Sequence, residues 1–334
     1  MRVLITGLCG FIGHHVAEYL LKHTDWELVG LDRLDATSTL HRLHFIDGWP
    51  ECADRVKFVW HDLRAPINPS VDRRLGHVDT VLHLAASTHV DRSIDEPLGF
   101  VLDNVLGTAH VLEWWRHRSK AADALYVQFG TDEVFGPAPE GIAFKEWDRY
   151  CSTNPYSATK AAGTELACAY SNTYGLRVVA TFTMNVFGER QHPEKFIPGT
   201  IRKILKGETV TVHSSSDRSK SGSRFYLHAG NVGAALLHLI ENRATHPLFD
   251  RWNLVGEKEV SNLEMAKSMA ELLDKPLVHE MVDFHSSRPG HDLRYALDGA
   301  KMRAAGFVYP ATFEQSLEKT VRWFVAHPEW LALD

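Results

Sequence analysis

Short apolar runs alternate with longer amphipathic segments through the first half of the chain. Strand-length runs of apolar and β-branched residues occur at 2–6, 27–31, 56–60, 79–84, 124–130 and 176–182. The segments between them that carry a helical spacing of apolar residues span 11–23, 95–118 and 154–173. Strands that alternate with helices in this way predict a parallel sheet whose two faces are both covered by helices.

After residue 185 the pattern breaks into shorter pieces, and helical spacing returns near 231–242, 261–273 and 312–326. We therefore predict an α/β protein of two parts. The first is a doubly wound parallel sheet over 1–185 with a later return near 225–242, and the second is a smaller mixed α/β domain over 186–334 that binds the substrate. The chain shows no internal repeat and no low-complexity linker, so the two parts should pack as one unit.

Composition and charge exclude several classes of protein. The 334 residues are 44% hydrophobic and 23% charged, which is typical of a soluble globular chain. No apolar run approaches the ~20 residues that a membrane-spanning helix needs. Lysine and arginine number 36 against 42 aspartates and glutamates, and the resulting net charge of −6 provides no positive field for nucleic acid. We expect neither a membrane nor a nucleic-acid partner.

The cysteines carry information about compartment and metal binding. Cys9, Cys52, Cys151 and Cys168 are widely spaced and form no CxxC pair. This spacing disfavours a metal site and indicates a reducing compartment. The first six residues already form a strand pattern and lack the regions of a signal peptide. We therefore expect a cytoplasmic protein without a bound metal.

Three glycines, Gly7, Gly10 and Gly13, occupy the junction between the first strand and the first helix. Glycine at these positions permits a tight turn, and the helix N-terminus offers free N–H groups to a diphosphate. The alternative is a purely structural strand-to-helix turn. Asp32 ends the second strand 19 residues after Gly13, where its carboxylate can accept hydrogen bonds from ribose hydroxyls. A carboxylate there favours NAD over NADP, although the adjacent Arg33 leaves NADP open.

Tyr156 and Lys160 are four residues apart and therefore share one face of a helix. The lysine ammonium is expected to lower the phenol pKa from about 10, so that the phenolate can take a proton from a substrate hydroxyl. Alone, such a pair is more often an ordinary helix face. Its position after a dinucleotide-binding pattern makes a catalytic pair the better interpretation.

At this point the chain resembles the extended short-chain dehydrogenase/reductase family over nearly its whole length. The residues that carry the resemblance are Gly7, Gly10, Gly13, Asp32, Asn104, Tyr156 and Lys160. The resemblance implies a Rossmann-type sheet, a central structural role for Asn104, and a C-terminal domain that binds a nucleotide sugar. It also implies that Thr131 acts with Tyr156 and Lys160 in hydride transfer.

The fifth predicted strand ends in Thr131-Asp132-Glu133, at the edge of the sheet where open α/β folds bind ligands. The alternative is an acidic surface turn. Two close carboxylates are expected to push their pKa values apart, which would leave one acid and one base near neutral pH. The triple resembles the catalytic residues of nucleotide-sugar 4,6-dehydratases, most closely those acting on dTDP-glucose. Further similar strings lie at 85–94, 193–198 and 288–295.

This resemblance implies a closed redox cycle on a nucleotide-diphosphate sugar. Tyr156, with Thr131 and Lys160, takes the proton of the sugar 4-OH while hydride passes from C4 to NAD. Glu133 then removes the C5 proton, and Asp132 protonates the departing 6-OH. Hydride returns to C6 and a proton to C5, which gives a 4-keto-6-deoxy sugar. Because net redox is zero, NAD is expected to stay bound through turnover.

The resemblance also assigns binding residues. The predicted cofactor contacts are Gly7, Gly10, Phe11, Ile12, Gly13, Asp32, Asp62, Leu63, Leu84, Ala85, Ala86, Tyr156 and Lys160. The predicted substrate contacts are Thr88, His89, Asn185, Glu194, Lys195, Arg224, Arg288 and His291. For any single basic residue of this set, the alternative is a solvated surface charge. The family also leads us to expect a homodimer.

The chain departs from the dTDP-glucose pattern near the expected substrate. Ser87 stands where that group usually has Glu, Gly130 where it has Ser, and Phe135 where it has Tyr. These departures leave the nucleotide base and the sugar open. The alternatives are an epimerase or 5,6-dehydratase that uses a UDP, CDP or GDP sugar, and a non-catalytic NAD-sensing protein.

Overall fold

A seven-stranded, fully parallel sheet forms the centre of the computed structural model, which describes residues 1–119, 123–283 and 293–332. Its strand order is β11-β6-β5-β4-β1-β2-β3. The strands are β1 (Arg2–Thr6), β2 (Glu27–Asp32), β3 (Val56–Trp60), β4 (Thr80–His83), β5 (Leu125–Thr131), β6 (Val178–Thr183), β7 (Val186–Phe187), β8 (Val210–Ser214), β9 (Ser223–Arg224), β10 (Leu227–His228), β11 (Phe249–Leu254), β12 (Val260–Ser261) and β13 (His279–Asp283). The shorter strands pair outside the main sheet as β7 with β10, β9 with β12 and β8 with β13.

Helices cover both faces of this sheet and build the C-terminal part. They are α1 (Phe11–His23), α2 (Trp49–Cys52), α3 (Pro69–Leu75), α4 (Val90–Asp95), α5 (Pro97–Phe100), α6 (Gly107–Arg116), α7 (Pro155–Tyr174), α8 (Phe196–Lys206), α9 (Ala229–Glu241), α10 (Asn262–Leu272), α11 (Ala300–Ala304) and α12 (Phe313–Ala326). Val101–Leu106 is π-helical, and 3₁₀ turns lie at Leu40–Phe45, Ala53–Arg55, Asp132–Phe135, Arg243–Thr245 and Pro328–Leu331. The predicted α/β class with a Rossmann-type parallel sheet is confirmed.

Alternation along the strands divides the core between the two faces of the sheet. On β1, Val3 and Ile5 join the cluster beneath α1 and α9, whereas Leu4 joins the cluster beneath α6. This follows from the two-residue period of a strand. A third cluster, which includes Ile201 and Met265, lies among α8, α10 and α12. The carboxyl ends of the parallel strands therefore open towards the C-terminal part of the chain.

The predicted helix over 95–118 is not one regular helix. Pro97 starts a new helical segment because it lacks an N–H and restricts the residue before it. Glu96 accordingly has φ −130° and ψ 65°, outside the helical region. A π-helical turn over Val101–Leu106 then precedes α6. The helical conformation is therefore interrupted at Glu96.

The pattern also missed the seventh strand of the sheet, β11, which pairs with β6 beyond the predicted return near 225–242. Its polar residues make it look unlike a buried strand, and two of them, Arg251 and Asn253, have hydrogen-bond partners that are distant in sequence. Arg251 donates to Glu165 at 2.9 Å, and the Asn253 amide donates at 3.0 Å to the backbone carbonyl of Phe144. The division into two domains at residue 185 stays a prediction.

Candidate active site

The glycine turn after β1 is shaped by close approaches of the backbone. Gly7 has φ +74°, and a Cβ there would lie 2.9 Å from the backbone of Ala85. A Cβ on Gly13 would lie 2.0 Å from the carbonyl oxygen of Gly7. Side chains at these two positions would therefore force the turn apart. Gly10 caps the N-terminus of α1, so free N–H groups of the first helical turn face the end of the sheet.

One cavity of about 430 Å³ opens beside this turn. A volume of this size suits a small molecule or part of a cofactor. The members of the predicted cofactor set that line it are Gly7, Gly10, Phe11, Ile12, Gly13, Asp32, Asp62, Leu63, Leu84, Ala85 and Ala86. The two remaining members, Tyr156 and Lys160, are not among its lining residues and are buried, with exposed fractions of 8% and 5%.

The carboxylate of Asp32 is fixed at the wall of this cavity. One oxygen accepts from the backbone N–H of Leu34 at 2.8 Å and from the Ser38 hydroxyl at 3.0 Å. The other accepts from the N–H of Cys9 at 3.0 Å, which links β2 to the glycine turn. A carboxylate held in this position suits the ribose hydroxyls of NAD and repels a 2′-phosphate.

Thr131, Asp132 and Glu133 lie together at the carboxyl end of β5. The Thr131 hydroxyl donates to one Asp132 oxygen at 3.0 Å, and the Asn154 amide donates to Glu133 at 3.3 Å. The other Asp132 oxygen, Oδ2, is buried and has no hydrogen-bond partner among the described residues. A buried carboxylate oxygen of this kind is available to a ligand that can donate a hydrogen bond.

Burial raises the pKa of both carboxyl groups of this pair. The pKa of Asp132 rises to about 6, and burial together with the neighbouring Asp132 charge raises that of Glu133 to about 7. Burial raises the pKa of each group, the Asp132 charge adds to the rise at Glu133, and the nearby Arg224 charge lowers both values. Near neutral pH the pair can still hold one proton between them.

Replacing this pair by its amides, Asp132→Asn with Glu133→Gln, should stabilise the protein at about pH 8 and leave it unchanged at about pH 4. A carboxyl whose pKa is raised by folding takes up protons on folding, so stability falls as pH rises through that window. Here the window runs from the ordinary values of 3.8 and 4.5 to about 6 and 7. We expect the melting temperature to rise by about 2–5 °C at high pH. Thermal unfolding followed by circular dichroism tests this, and an equal gain at both pH values would contradict it.

Tyr156 and Lys160 lie in the first turns of α7. Burial, followed by the Glu133 charge, raises the pKa of Tyr156 above its ordinary value, while the Thr131 hydroxyl lowers it. Burial lowers the pKa of Lys160 to about 8, and its ammonium donates at 2.6 Å to the carbonyl of Phe129. The predicted lowering of the phenol pKa by Lys160 is therefore not found. The lysine is held against β5, and the phenol lies beside carboxylates.

Asn104 holds the surrounding segments in place, as the family resemblance implied. Its side chain accepts from the N–H of Ser87 at 2.8 Å and donates to the carbonyl of the same residue at 3.0 Å. It also donates to the Thr159 hydroxyl at 3.0 Å. Asn104 thereby connects the loop after β4 to α7, the helix that carries Tyr156.

Four of the predicted substrate contacts, Thr88, His89, Glu194 and Lys195, line the same cavity as the cofactor set. Glu194 accepts from the Arg92 guanidinium at 3.0 Å and lies 3.8 Å from the His89 ring nitrogen. The cavity therefore extends from the glycine turn to the start of α8. Acidic and basic side chains, Glu194 and Lys195, both line the end of the cavity at the start of α8.

The other four predicted substrate contacts lie apart from this cavity or beyond the described residues. Arg224 is buried over the ring of Tyr295, at 4.8 Å, and donates at 2.6 Å to the carbonyl of Leu293. Its charge nevertheless reaches the carboxylate pair. Asn185 is exposed, and its backbone carbonyl accepts from Leu227 at 2.9 Å. Arg288 and His291 fall outside the described residues.

Sequence reasoning missed residues that contact the predicted set. Asn154 caps α7 through its side-chain oxygen and donates its amide to Glu133, so one residue orients both a helix and a carboxylate. The sequence Asn154-Pro155 is typical of a helix start and could have indicated that Asn154 caps α7. Arg42 donates to the carbonyls of Cys9 at 3.0 Å and Thr37 at 2.7 Å, which no local pattern predicts.

Two classes of site have no support in the part of the chain that the structure describes. It contains no helix that is long and apolar enough to cross a membrane. It also contains no cluster of three or more histidine, cysteine, aspartate or glutamate side chains that could hold a metal ion. The described site therefore consists of the glycine turn, its cavity and the buried group around Tyr156.

A parallel sheet with a glycine turn after its first strand, a carboxylate ending its second, and a buried tyrosine and lysine on one helix defines a dinucleotide-binding α/β enzyme scaffold. The particular family follows from comparison with known proteins. The chain belongs to the NAD dependent epimerase/dehydratase family, whose model matches residues 3–254.

Relatives and solved structures extend the similarity to the whole chain. A dTDP-glucose 4,6-dehydratase of Salmonella typhimurium is 32% identical over 99% of this chain and 94% of that protein. A trifunctional UDP-glucose 4,6-dehydratase, epimerase and reductase of Arabidopsis thaliana is 33% identical over 98% of this chain and 48% of that protein. The crystal structure of the dTDP-glucose 4,6-dehydratase DesIV from Streptomyces venezuelae, with NAD bound, has a TM-score of 0.86 at 30% identity, covering 99% of this chain and 98% of that one. The resemblance stated from the sequence is confirmed.

Proposed function

We propose that this protein is an NAD-dependent nucleotide-sugar 4,6-dehydratase, a hydro-lyase whose substrate is dTDP-glucose. The product is the corresponding nucleotide 4-keto-6-deoxy sugar. The observation that carries the proposal is the carboxylate pair of buried Asp132 and partly buried Glu133 beside Thr131 and Tyr156, in a chain that is similar throughout to such dehydratases. Epimerisation at C4 needs the hydroxyl, tyrosine and lysine but no carboxylate pair, whereas elimination of water needs both an acid and a base.

The site residues divide the proton transfers between them. Tyr156, assisted by Thr131, accepts the proton of the sugar 4-OH, and Lys160, whose ammonium donates to the Phe129 carbonyl, holds α7 against β5. Glu133 removes the C5 proton, and Asp132 protonates the departing 6-OH. Bound NAD supplies the hydride acceptor for C4 and the donor for C6. The raised pKa values of about 6 and 7 support this scheme, because the pair can hold one proton near neutral pH.

The glycine turn, Asp32 and the cavity beside them support the assignment of NAD. Gly7, Gly10 and Gly13 would hold its diphosphate at the N-terminus of α1, and Asp32 would accept the ribose hydroxyls. The geometry fits this group, because the three glycines and Asp32 line one cavity of about 430 Å³. Since the reaction is redox-neutral, the protein should retain NAD from one turnover to the next.

The nucleotide base is best tested directly, because relatives with dTDP and UDP sugars in their names match this chain almost equally well. Purified protein should be incubated with dTDP-, UDP-, CDP- and GDP-glucose and the products weighed by mass spectrometry. Loss of one water from dTDP-glucose, faster than from the others, supports the proposal. Unchanged mass with altered stereochemistry would identify an epimerase, and no turnover on any sugar would support a non-catalytic NAD-binding protein.

We also propose that the protein is a homodimer joined through the segment 90–106. Exposed apolar side chains recur there at intervals of three and four residues: Ile94, Leu98, Val101, Leu102 and Leu106. Leu98 alone is 77% exposed. Contiguous apolar surface of this kind is typical of a protein–protein contact.

Replacing Leu102 by Asp should convert the dimer to a monomer, because a buried interfacial carboxylate without a partner is costly. We expect the dimer dissociation constant to rise at least about 100-fold, which corresponds to about 2.7 kcal/mol. Light scattering after size-exclusion chromatography measures the change. Leu205→Asp on α8 is the matched control, since Leu205 is 39% exposed and Leu102 is 41% exposed. A parent protein that is monomeric at micromolar concentration would contradict the proposal.

A cytoplasmic location and the absence of nucleic-acid partners complete the proposal. All four cysteines are free, and Cys151 is exposed. Unpaired, accessible thiols are typical of reducing compartments. Because the net charge is −6, a small anionic substrate needs locally placed arginines and lysines, and the overall charge offers no attraction for nucleic acid.

A further inference from the structure

Asp103 lies in the π-helical segment before α6 and forms part of the wall of the cofactor cavity. Its carboxylate is 8% exposed. It accepts two hydrogen bonds from Arg33, at 2.6 and 3.0 Å, and two from Arg64, at 2.7 and 3.1 Å. The Ser87 hydroxyl donates a fifth, at 2.6 Å. One carboxylate thus holds two guanidinium groups that line the same cavity.

This carboxylate is permanently charged. Burial alone would raise its pKa, but the hydrogen bonds from Arg64, Arg33 and Ser87 bring the pKa of Asp103 down to about 2. Hydrogen bonds between a guanidinium and a carboxylate in this forked geometry are among the strongest in proteins. The two arginines are therefore held in fixed positions at physiological pH.

Arg33 has a special place in the chain because it directly follows Asp32 at the end of β2. An arginine at this point of a dinucleotide-binding fold can accommodate the 2′-phosphate of NADP. In the structure its guanidinium nitrogens are directed to acidic groups instead: Nη1 and Nη2 to Asp103, and Nε and Nη2 to Asp35, at 3.2 and 3.0 Å. A 2′-phosphate would have to compete with both carboxylates for this guanidinium.

We propose that Asp103 is a specificity-determining residue for the cofactor: it holds Arg33 and Arg64 away from a 2′-phosphate, so that the cavity discriminates against NADP. Asp103 acts through the arginines and is therefore a positioning residue. Asp32 and Asp103 then act together. Asp32 faces the ribose of the cofactor, and Asp103 binds the guanidinium groups of Arg33 and Arg64 beside it. This inference rests on the proposed function in one respect, namely that the cavity binds NAD.

The test is the ratio of NAD to NADP affinity in Asp103→Asn, measured by isothermal titration calorimetry on the purified full chain. The asparagine amide keeps the size of the side chain but loses the negative charge that holds the guanidinium groups of Arg33 and Arg64. We expect NADP to bind about tenfold more tightly than to the parent, with NAD affinity changed by less than about twofold. Adding Arg33→Ala and Arg64→Ala together to this variant should abolish the gain, because the two freed guanidinium groups provide it.

Glu96→Gln is the matched control, since it removes a carboxylate from the same cavity lining, and no hydrogen bond joins Glu96 to either arginine among the described residues. An equal NADP gain in this control would show a general charge effect and overturn the inference. An unchanged ratio in Asp103→Asn, or a gain that survives removal of both Arg33 and Arg64, would also overturn it.

A variant of the parent keeps the inference testable should Asp103→Asn fail to fold. Arg33→Ala with Arg64→Ala should leave the weak NADP affinity of the parent unchanged, because both guanidiniums are already occupied. A fall in NADP affinity would overturn the inference. The outcomes also separate the two proposals: a parent that fails to bind NAD removes the proposed function and this inference together, whereas NAD binding with an unchanged ratio removes only the inference.

Discussion

Replacing Tyr156 by Phe should lower the rate of dehydration about 10³-fold, because the sugar 4-OH loses the group that accepts its proton. The ring packs against Phe100 and is 8% exposed, so phenylalanine should keep the fold and the helix position. NAD affinity should change by less than about twofold, since the glycine turn and Asp32 are untouched. Mass spectrometry of the product gives the rate, and calorimetry gives the NAD affinity.

Tyr150→Phe is the matched control for this prediction. The hydroxyl of Tyr150 is buried without a hydrogen-bond partner among the described residues, and its ring packs on Phe135 at 5.5 Å. Removing that hydroxyl should leave the rate within about twofold of the parent. Equal loss in both variants would point to general disturbance of the core, and near-normal dehydration by Tyr156→Phe would remove the tyrosine from the mechanism.

Replacing Glu133 by Gln should separate the oxidation step from the loss of water. Glutamine keeps the shape and can still contact Asn154, but it cannot take the C5 proton. We expect dehydration to fall about 10²–10⁴-fold while C4 oxidation continues, so that reduced cofactor accumulates on the protein. Absorbance of enzyme-bound NADH after mixing with dTDP-glucose measures the accumulation. Normal water loss by this variant would contradict the assignment of Glu133 as the base.

Asp132→Asn distinguishes the acid from the base of the carboxylate pair. If Glu133 is the base and Asp132 the acid, the Asp132 variant should still exchange the C5 hydrogen with deuterated water although it fails to release the 6-OH. The Glu133 variant should exchange it far more slowly. Nuclear magnetic resonance of recovered sugar reads the exchange, and the opposite pattern would reverse the two roles.

Local features of the sequence predicted most of the fold because they act over short distances. The strands β1 to β6 lie within about two residues of the predicted runs, since buried parallel strands are continuous apolar segments. Gly7 and Gly13 could be identified because no other residue fits beside the backbone of Ala85 and the Gly7 carbonyl. The position of Asp32 at the end of β2 followed from its spacing alone.

Features that depend on distant contacts could not be predicted in this way. The strand β11 carries Arg251 and Asn253, whose hydrogen-bond partners are Glu165 on α7 and the backbone carbonyl of Phe144. Asp103 contacts Arg33 across 70 positions of sequence, so nothing local indicates that the arginine is occupied. The pKa of Tyr156 was predicted with the wrong sign because spacing on a helix shows that Lys160 is near but not that it bonds to Phe129.

The central claim is that this protein dehydrates a nucleotide sugar by moving one hydride from C4 to C6. The most direct measurement is to incubate it with dTDP-glucose that carries deuterium at C4 and to locate the label by mass spectrometry and nuclear magnetic resonance. The account predicts a product that has lost one water and carries the deuterium at C6. Deuterium that stays at C4, or a sugar of unchanged mass, would contradict it.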